Sequence, residues 1–146
     1  MNAPTQARLQ DLLRRESRSL LQYLDESFPW TTLDKQSALS RLHELAAEER
    51  DAAAKVARLL TRRRVALPYL GAFPEEFTTI NFIGLDYAVP RLVAYERRAI
   101  ADLEQDLARL DDEEAKRLVQ EVLTLKQGHL KELEGLATGL PAATVR

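Results

Sequence analysis

The residues that invite chemistry in this chain are charged side chains at positions where helical spacing calls for apolar ones. Glu16 follows Leu12 and Leu13 by four and three residues and precedes Leu20 by four, so a helix turns it to the same side as those leucines. Glu49 stands in the same relation to Leu45, Ala46, Ala52, Ala53 and Val56, and Glu96 to Leu92, Val93, Ile100 and Leu103. Further on, Lys126 and His129, three apart and so on one face, fall among Val122, Leu125, Leu130 and Leu133. Carboxylates and imidazole gathered inside a protein suit iron, manganese or zinc. A lysine in the same cluster brings a positive charge of its own. For the second glutamate the spacing leaves an alternative, in which Glu48, with Asp51 three later, faces inward in place of Glu49.

The elements that must position these residues are helices. Leucine dominates the composition, β-branched and aromatic residues are sparse, and there are 5 glycines and 6 prolines in 146 residues, enough for one ordinary domain. Leu9, Leu12, Leu13, Leu20, Tyr23 and Leu24 predict a first helix over about residues 5–27. A second, over about 32–64, carries the stripe from Leu42 to Leu60; Thr31 or Thr32 can cap it, with Thr31-x-x-Asp34 as a capping box, and Arg62, Arg63 and Arg64 complement its C-terminal dipole. Pro68, Gly71 and Pro74 then forbid one continuous helix. Periodicity resumes over about 79–110, where Pro90 requires a kink or a late start. A fourth helix, over about 112–138, begins at Asp111 or Asp112 with an acidic first turn and ends at Gly139 and Pro141.

Two short links and one long central link predict an all-α bundle of two antiparallel hairpins joined by a crossover between helices 2 and 3. Glu16, Glu49, Glu96 and Lys126 each fall within a residue or two of the midpoint of their helix. At a rise of about 1.5 Å per residue that places them in one layer across the core.

In this arrangement the chain resembles the ferritin-like superfamily, with helices of the rubrerythrin or bacterioferritin kind, over almost its whole length. Di-metal members place one Glu on helices 1 and 3 and a Glu-x-x-His on helices 2 and 4. The resemblance implies that Glu16, Glu49, Glu96 and His129 occupy ligand positions, and the run from Leu125 to Leu133 looks like the helix 4 motif. Two positions depart: Ala52 stands where helix 2 offers His, and Lys126 where helix 4 offers Glu. A protonated ammonium cannot ligate and repels a cation at ligand distance. Lys126 and a protonated His129 offset about two of the three negative charges of the layer, so the expected buried cluster is Glu16, Glu49, Glu96, Lys126 and His129 with a degenerate metal site.

The expected function is therefore a structural or interaction role without a cofactor, as a homodimer. One alternative is an iron or manganese oxidoreductase or metal-handling protein using Glu16, Glu49, Glu96 and His129. Another is a small-molecule binder at the buried Lys/Glu cluster.

Composition removes other classes. Cysteine is absent, which excludes disulfides, thiolate metal sites and cysteine nucleophiles. A net charge of −2 gives no general attraction to nucleic acid, and the run Arg62 to Arg64 reads as a solvated helix end. His43-Glu44 has no second His four residues on, so it reads as a surface histidine. The stretch without charge from Val65 to Pro74 is about half a membrane span, and the N-terminus lacks a secretory pattern, so the expected location is the cytoplasm without membrane contact. The only methionine is Met1, which leaves no internal methionine for a haem. Trp30 with Phe28, Phe73 and Phe77 is expected to plug the loop end of the bundle.

Overall fold

A computed structural model describes residues 1–27, 29–80 and 84–139. All regular structure among them is helical, and their one bridge of β type joins Trp30 to Gly84. Five helices follow in order: α1 (Ala3–Ser17), α2 (Leu20–Ser27), α3 (Gln36–Arg62), α4 (Leu85–Ala108) and α5 (Glu113–Gly139). Helices α1 and α2 are one broken arm, so the molecule is a four-helix bundle. Among the described residues no helix is long and apolar enough to cross a membrane.

The first arm departs from the continuous helix that its leucine spacing predicts. Ser19 is the reason. Its hydroxyl accepts the backbone N–H of Gln22 at 3.2 Å, as an N-cap side chain does, and the chain starts a new helix at Leu20. Ser19-x-x-Gln22 is a capping-box sequence inside an apolar stripe.

Other ends also have local causes. Helix α3 closes in a Schellman motif: Val65 N–H reaches Leu60 O at 2.9 Å and Arg64 N–H reaches Thr61 O at 3.1 Å, with Arg64 itself at φ 57°. Asp112 caps α5 by accepting Ala115 N–H at 3.0 Å. The expected Thr31-x-x-Asp34 box does not form; Thr32 precedes a 3₁₀ turn at Leu33–Lys35 and gives its hydroxyl to Asp34. Helix α4 begins at Leu85, later than the periodicity suggests, behind Gly84 at its N-cap. The late start leaves Pro90 in the second turn, where it removes one hydrogen bond.

Cross-links fix the directions of the helices. Arg62 and Arg63 at the end of α3 pair with Glu114 and Asp112 at the start of α5, while Arg41 near the start of α3 pairs with Glu132 near the end of α5. These two helices are therefore antiparallel neighbours. Arg8 and Arg15 of α1 both grip the buried Asp106 of α4, at 3.0 and 2.6 Å. Thr5 near the start of α1 accepts Asp111 N–H just beyond the end of α4, while Glu16 near the end of α1 meets Glu96 of mid-α4 at Lys126, so α1 is antiparallel to α4. Helix α3 packs on α1, α2 and α5, and α4 on α5, α2 and α1, so α3 and α4 run parallel across the diagonal.

The chain between α3 and α4 must then travel the length of the bundle, and it does so along the first arm. Gln10 donates to Ala66 O and Arg18 to Gly71 O, each at 2.7 Å. Gly71 sits at φ 67°, a conformation that suits glycine. Beyond it Phe73 and Phe77 lie 5.4 and 5.6 Å from the ring of Tyr23, and Phe77 lies 5.5 Å from Tyr95. Trp30 does not join this plug. It is 68% exposed; its carbonyl accepts Leu85 N–H and one edge of its ring lies against Gly84. Phe28 and Pro141 lie outside the described residues.

The core is in two parts. One apolar cluster gathers Leu9, Leu12, Val56, Leu59, Leu103 and Val119; the other gathers Leu21, Leu24, Leu45, Leu85, Leu92 and Leu133. Between them in every arm comes a charged residue: Glu16, Glu49, Glu96 and Lys126.

Candidate functional site

Each arm delivers its charged side chain at mid-height, where the helical period turns it inward and leucine layers above and below exclude water. Lys126 and Glu96 have no exposed surface, Glu49 keeps 2% and Glu16 keeps 4%. The Lys126 ammonium sits among all three carboxylates. Its Nζ lies 2.9 Å from Glu16 Oε1 and 3.3 Å from Glu96 Oε1, and it donates to Glu49 Oε2. Glu49 faces the core, whereas the Glu48 side chain is 40% exposed.

The three carboxylates are unequally served. Glu49 accepts from Lys126 on one oxygen and from Ser19 and Gln22 on the other, with Gln22 Nε2 at 2.9 Å. Gln22 is held in turn by Arg50, which donates to its Oε1 at 2.9 Å and to Asp25 at 2.8 Å. Glu96 Oε2 is buried with no hydrogen-bond donor. Glu16 Oε1, also buried, has the Lys126 ammonium beside it at 2.9 Å and no other donor.

Three carboxylates around one ammonium leave the layer about two charges negative when all are ionised, a costly state in a dry interior. Protonation is the relief. Burial pushes the Glu96 carboxyl up to about 7, against the pull of Lys126 and with the repulsion of its two fellow carboxylates. Burial raises Glu16 as well, again against Lys126. Burial alone would discharge Lys126, yet the attraction of Glu16, Glu49 and Glu96 overrides it and holds the ammonium well above the usual lysine range. Lys126 keeps its proton, and Glu16 and Glu96 titrate together beside it.

His129 is buried at 2% exposure but does not join the layer. Its Nε2 meets Glu48 Oε1 at 3.0 Å at the edge of the α3–α5 interface, and its Nδ1 is buried without a partner. The structure thus brings Glu16, Glu49, Glu96 and Lys126 together and sets His129 aside with Glu48. Spacing along α5 places the imidazole on the correct face but cannot say which of two adjacent glutamates it meets.

A metal ion does not fit these donors. The ammonium stands within 3.3 Å of each glutamate, where a shared cation would have to sit, and the imidazole is committed to Glu48. Among the described residues no group of three or more His, Asp or Glu side chains is arranged to hold a metal ion.

Two residues that helical periodicity does not single out complete the site: Ser19 and Gln22, both buried. The capping-box pattern is the signal that points to them. His43, read as a surface histidine, is half-buried and pairs with Asp25. Arg62 and Arg63 are engaged by Asp112 and Glu114, as a solvated helix end allows.

Comparison with known proteins adds no relative: no family model, no curated protein and no solved structure matches the chain.

Proposed function

We propose that this protein is a ferritin-like bundle whose metal has been replaced by the Lys126 ammonium, and that its role is structural or one of binding. The observation that carries the reading is the approach of Lys126 Nζ to all three inward glutamates. The parallel diagonal of α3 and α4, with the connection running along α1, supports the ferritin-like part. A di-iron or di-manganese oxidoreductase would need carboxylates and imidazoles where the chain offers Lys126 and Ala52 and turns His129 to Glu48. The test is elemental analysis of the purified protein, followed by titration with ferrous and manganous ions while unfolding is monitored. The reading expects no stoichiometric metal and no metal-dependent stabilisation. Stoichiometric iron or manganese that survives dialysis against chelator would overturn it.

A second reading, a binder of small molecules, is favoured by one observation: Glu16 also lines an apolar cleft beside the layer.

A further inference from the structure

Arg18, at the break in the first arm, is an arginine without a carboxylate. Its Nε donates to Gly71 O at 2.7 Å and its Nη1 to Ser17 O at 3.2 Å, and its guanidinium lies over the ring of Phe73 at 5.0 Å. Nη2 has no acceptor, and among the described residues no acid pairs with this half-buried side chain. A guanidinium partly withdrawn from water gains much from an anion, because Coulomb attraction grows as screening falls.

The same side chain lines a cleft of about 380 Å³ between the broken arm, α3 and the crossing segment, within the range of small-molecule pockets. Its two ends are unlike. Helices α1 and α3 border it in opposite directions and the crossing segment follows α1, so Leu13, Ala57 and Leu67 meet at one end and Arg18, Gln22 and Arg50 at the other. The stretch of α3 from Ala57 back to Arg50 spans about 10 Å, at about 1.5 Å per residue. Arg50 gives Nη1 to Gln22 and Asp25 and keeps Nε and Nη2 without an acceptor, so the polar end holds unused N–H groups from two guanidiniums. Two carboxyls also line the cleft. Glu16 already has the Lys126 ammonium beside it at 2.9 Å, and Glu26 is exposed, where water and salt screen its charge. The half-buried charge left without a counter-ion is that of Arg18.

We propose that this cleft binds an aliphatic carboxylate of about eight carbons, whose head accepts hydrogen bonds from Arg18 and from the unused N–H groups of Arg50. The chain runs along Ala54 and Ala57 toward Leu67, under the crossing segment. The carboxylate gives Arg18 the counter-charge that the protein does not supply. An alcohol of the same length keeps the apolar contact and lacks the charge. An amine brings an ammonium to the two guanidiniums and is repelled. The inference deepens the small-molecule reading and rests on it, with the arginines beside the charged layer, and not the layer itself, as the recognising groups.

The experiment is calorimetric titration of the full chain at about pH 7 with octanoate, 1-octanol, octylamine and butanoate. Octanoate is expected to bind at least about tenfold more tightly than octanol, with octylamine the weakest of the three long chains. Butanoate should lose at least about tenfold against octanoate, because its short chain leaves the aliphatic end unfilled. Arg18→Gln should lose at least about tenfold for octanoate and keep octanol within about twofold, which also shows that the cleft is intact. Should Arg18→Gln weaken octanol as well, Arg50→Gln decides by the same comparison. Ala54→Leu, which fills the cleft, should weaken both long chains; its unfolding curve shows whether it is folded. Octanol binding as tightly as octanoate, or octylamine binding more tightly than either, would overturn the carboxylate proposal and leave a small-molecule site. Absence of binding by all four would overturn the proposal and the small-molecule reading together. Equal affinity for butanoate and octanoate, or octanoate affinity unchanged in both arginine variants, would also overturn the proposal.

Discussion

Glu96 faces Lys126 at 3.3 Å through one oxygen and leaves its other oxygen buried and bare. The ion pair is thus half made, and the carboxyl is poised to carry a proton.

That geometry sets a pH dependence whose sign can be worked out. The folded-state value for Glu96, about 7, lies above its ordinary 4.5. The unfolded chain therefore releases this proton first as pH rises. The group contributes stability that is complete below about 4.5 and disappears as pH climbs through 7. Glu96→Gln removes the titration and keeps the shape. Chemical unfolding of both proteins from about pH 5 to 9 should show the variant gaining on the wild type as pH rises, by a few kcal/mol in total and with most of the change below pH 8. A difference between the two that stays flat over this range would mean that Glu96 is ionised throughout.

Lys126→Met tests the other side of the pair. The substitution keeps the aliphatic stem and deletes the only cation in the layer, which leaves three carboxylates uncompensated at a cost of about 3 to 5 kcal/mol near neutral pH. The loss should shrink at about pH 5, where the carboxyls can protonate instead. Replacing Glu16, Glu49 and Glu96 together with apolar residues in the Lys126→Met background should recover most of the stability, because a dry layer needs no charges at all. A loss within about 0.5 kcal/mol for the single substitution would place the ammonium in solvent.

Ser19→Ala removes two contacts from one hydroxyl: the cap on Gln22 N–H and the donor to Glu49. A lost cap costs about 1 kcal/mol and the loss of one of the donors to a buried carboxylate about as much again, so a loss of about 2 kcal/mol is expected from thermal or urea unfolding. Ser19→Gly, which can still begin a helix, should recover the capping part only.

The layer itself was legible in the sequence because one residue in each arm breaks an otherwise apolar period, and a helix converts that break into direction. What periodicity cannot show is continuity. Leu20, Tyr23 and Leu24 stay in phase with Leu9, Leu12 and Leu13, so the interruption at Arg18 and Ser19 leaves no trace in the hydrophobic pattern. The partner of His129 was equally out of reach, since Glu48 and Glu49 are adjacent and the choice between them depends on how α3 and α5 are rotated against each other. Trp30 shows the limit from the apolar side: an apolar ring suggests burial, yet its carbonyl and one ring edge meet the start of α4 and the rest of the residue is exposed.

Lys126→Glu asks whether the ammonium occupies the place of a cation. The substitution creates a Glu-x-x-His spacing that ends at His129 and puts four carboxylates at one level with no internal positive charge. Without metal the variant should be less stable than the wild type and should take up protons to compensate. A divalent ion then becomes the missing counter-charge. It binds the folded state in preference to the unfolded one, and at about a hundred times its dissociation constant it stabilises by about 2.7 kcal/mol. For a chain of this size that corresponds to a rise in Tm of roughly 5 to 10 °C. The wild type, which keeps its ammonium, should move by no more than about 1 °C under the same manganous ion concentration, because Coulomb repulsion from Lys126 opposes entry at ligand distance. Calorimetric scans of both proteins across a manganese titration provide the measurement. Equal shifts in the two would show that Lys126 does not stand where a cation binds, and the carboxylates would then be free to serve as ligands in the wild type.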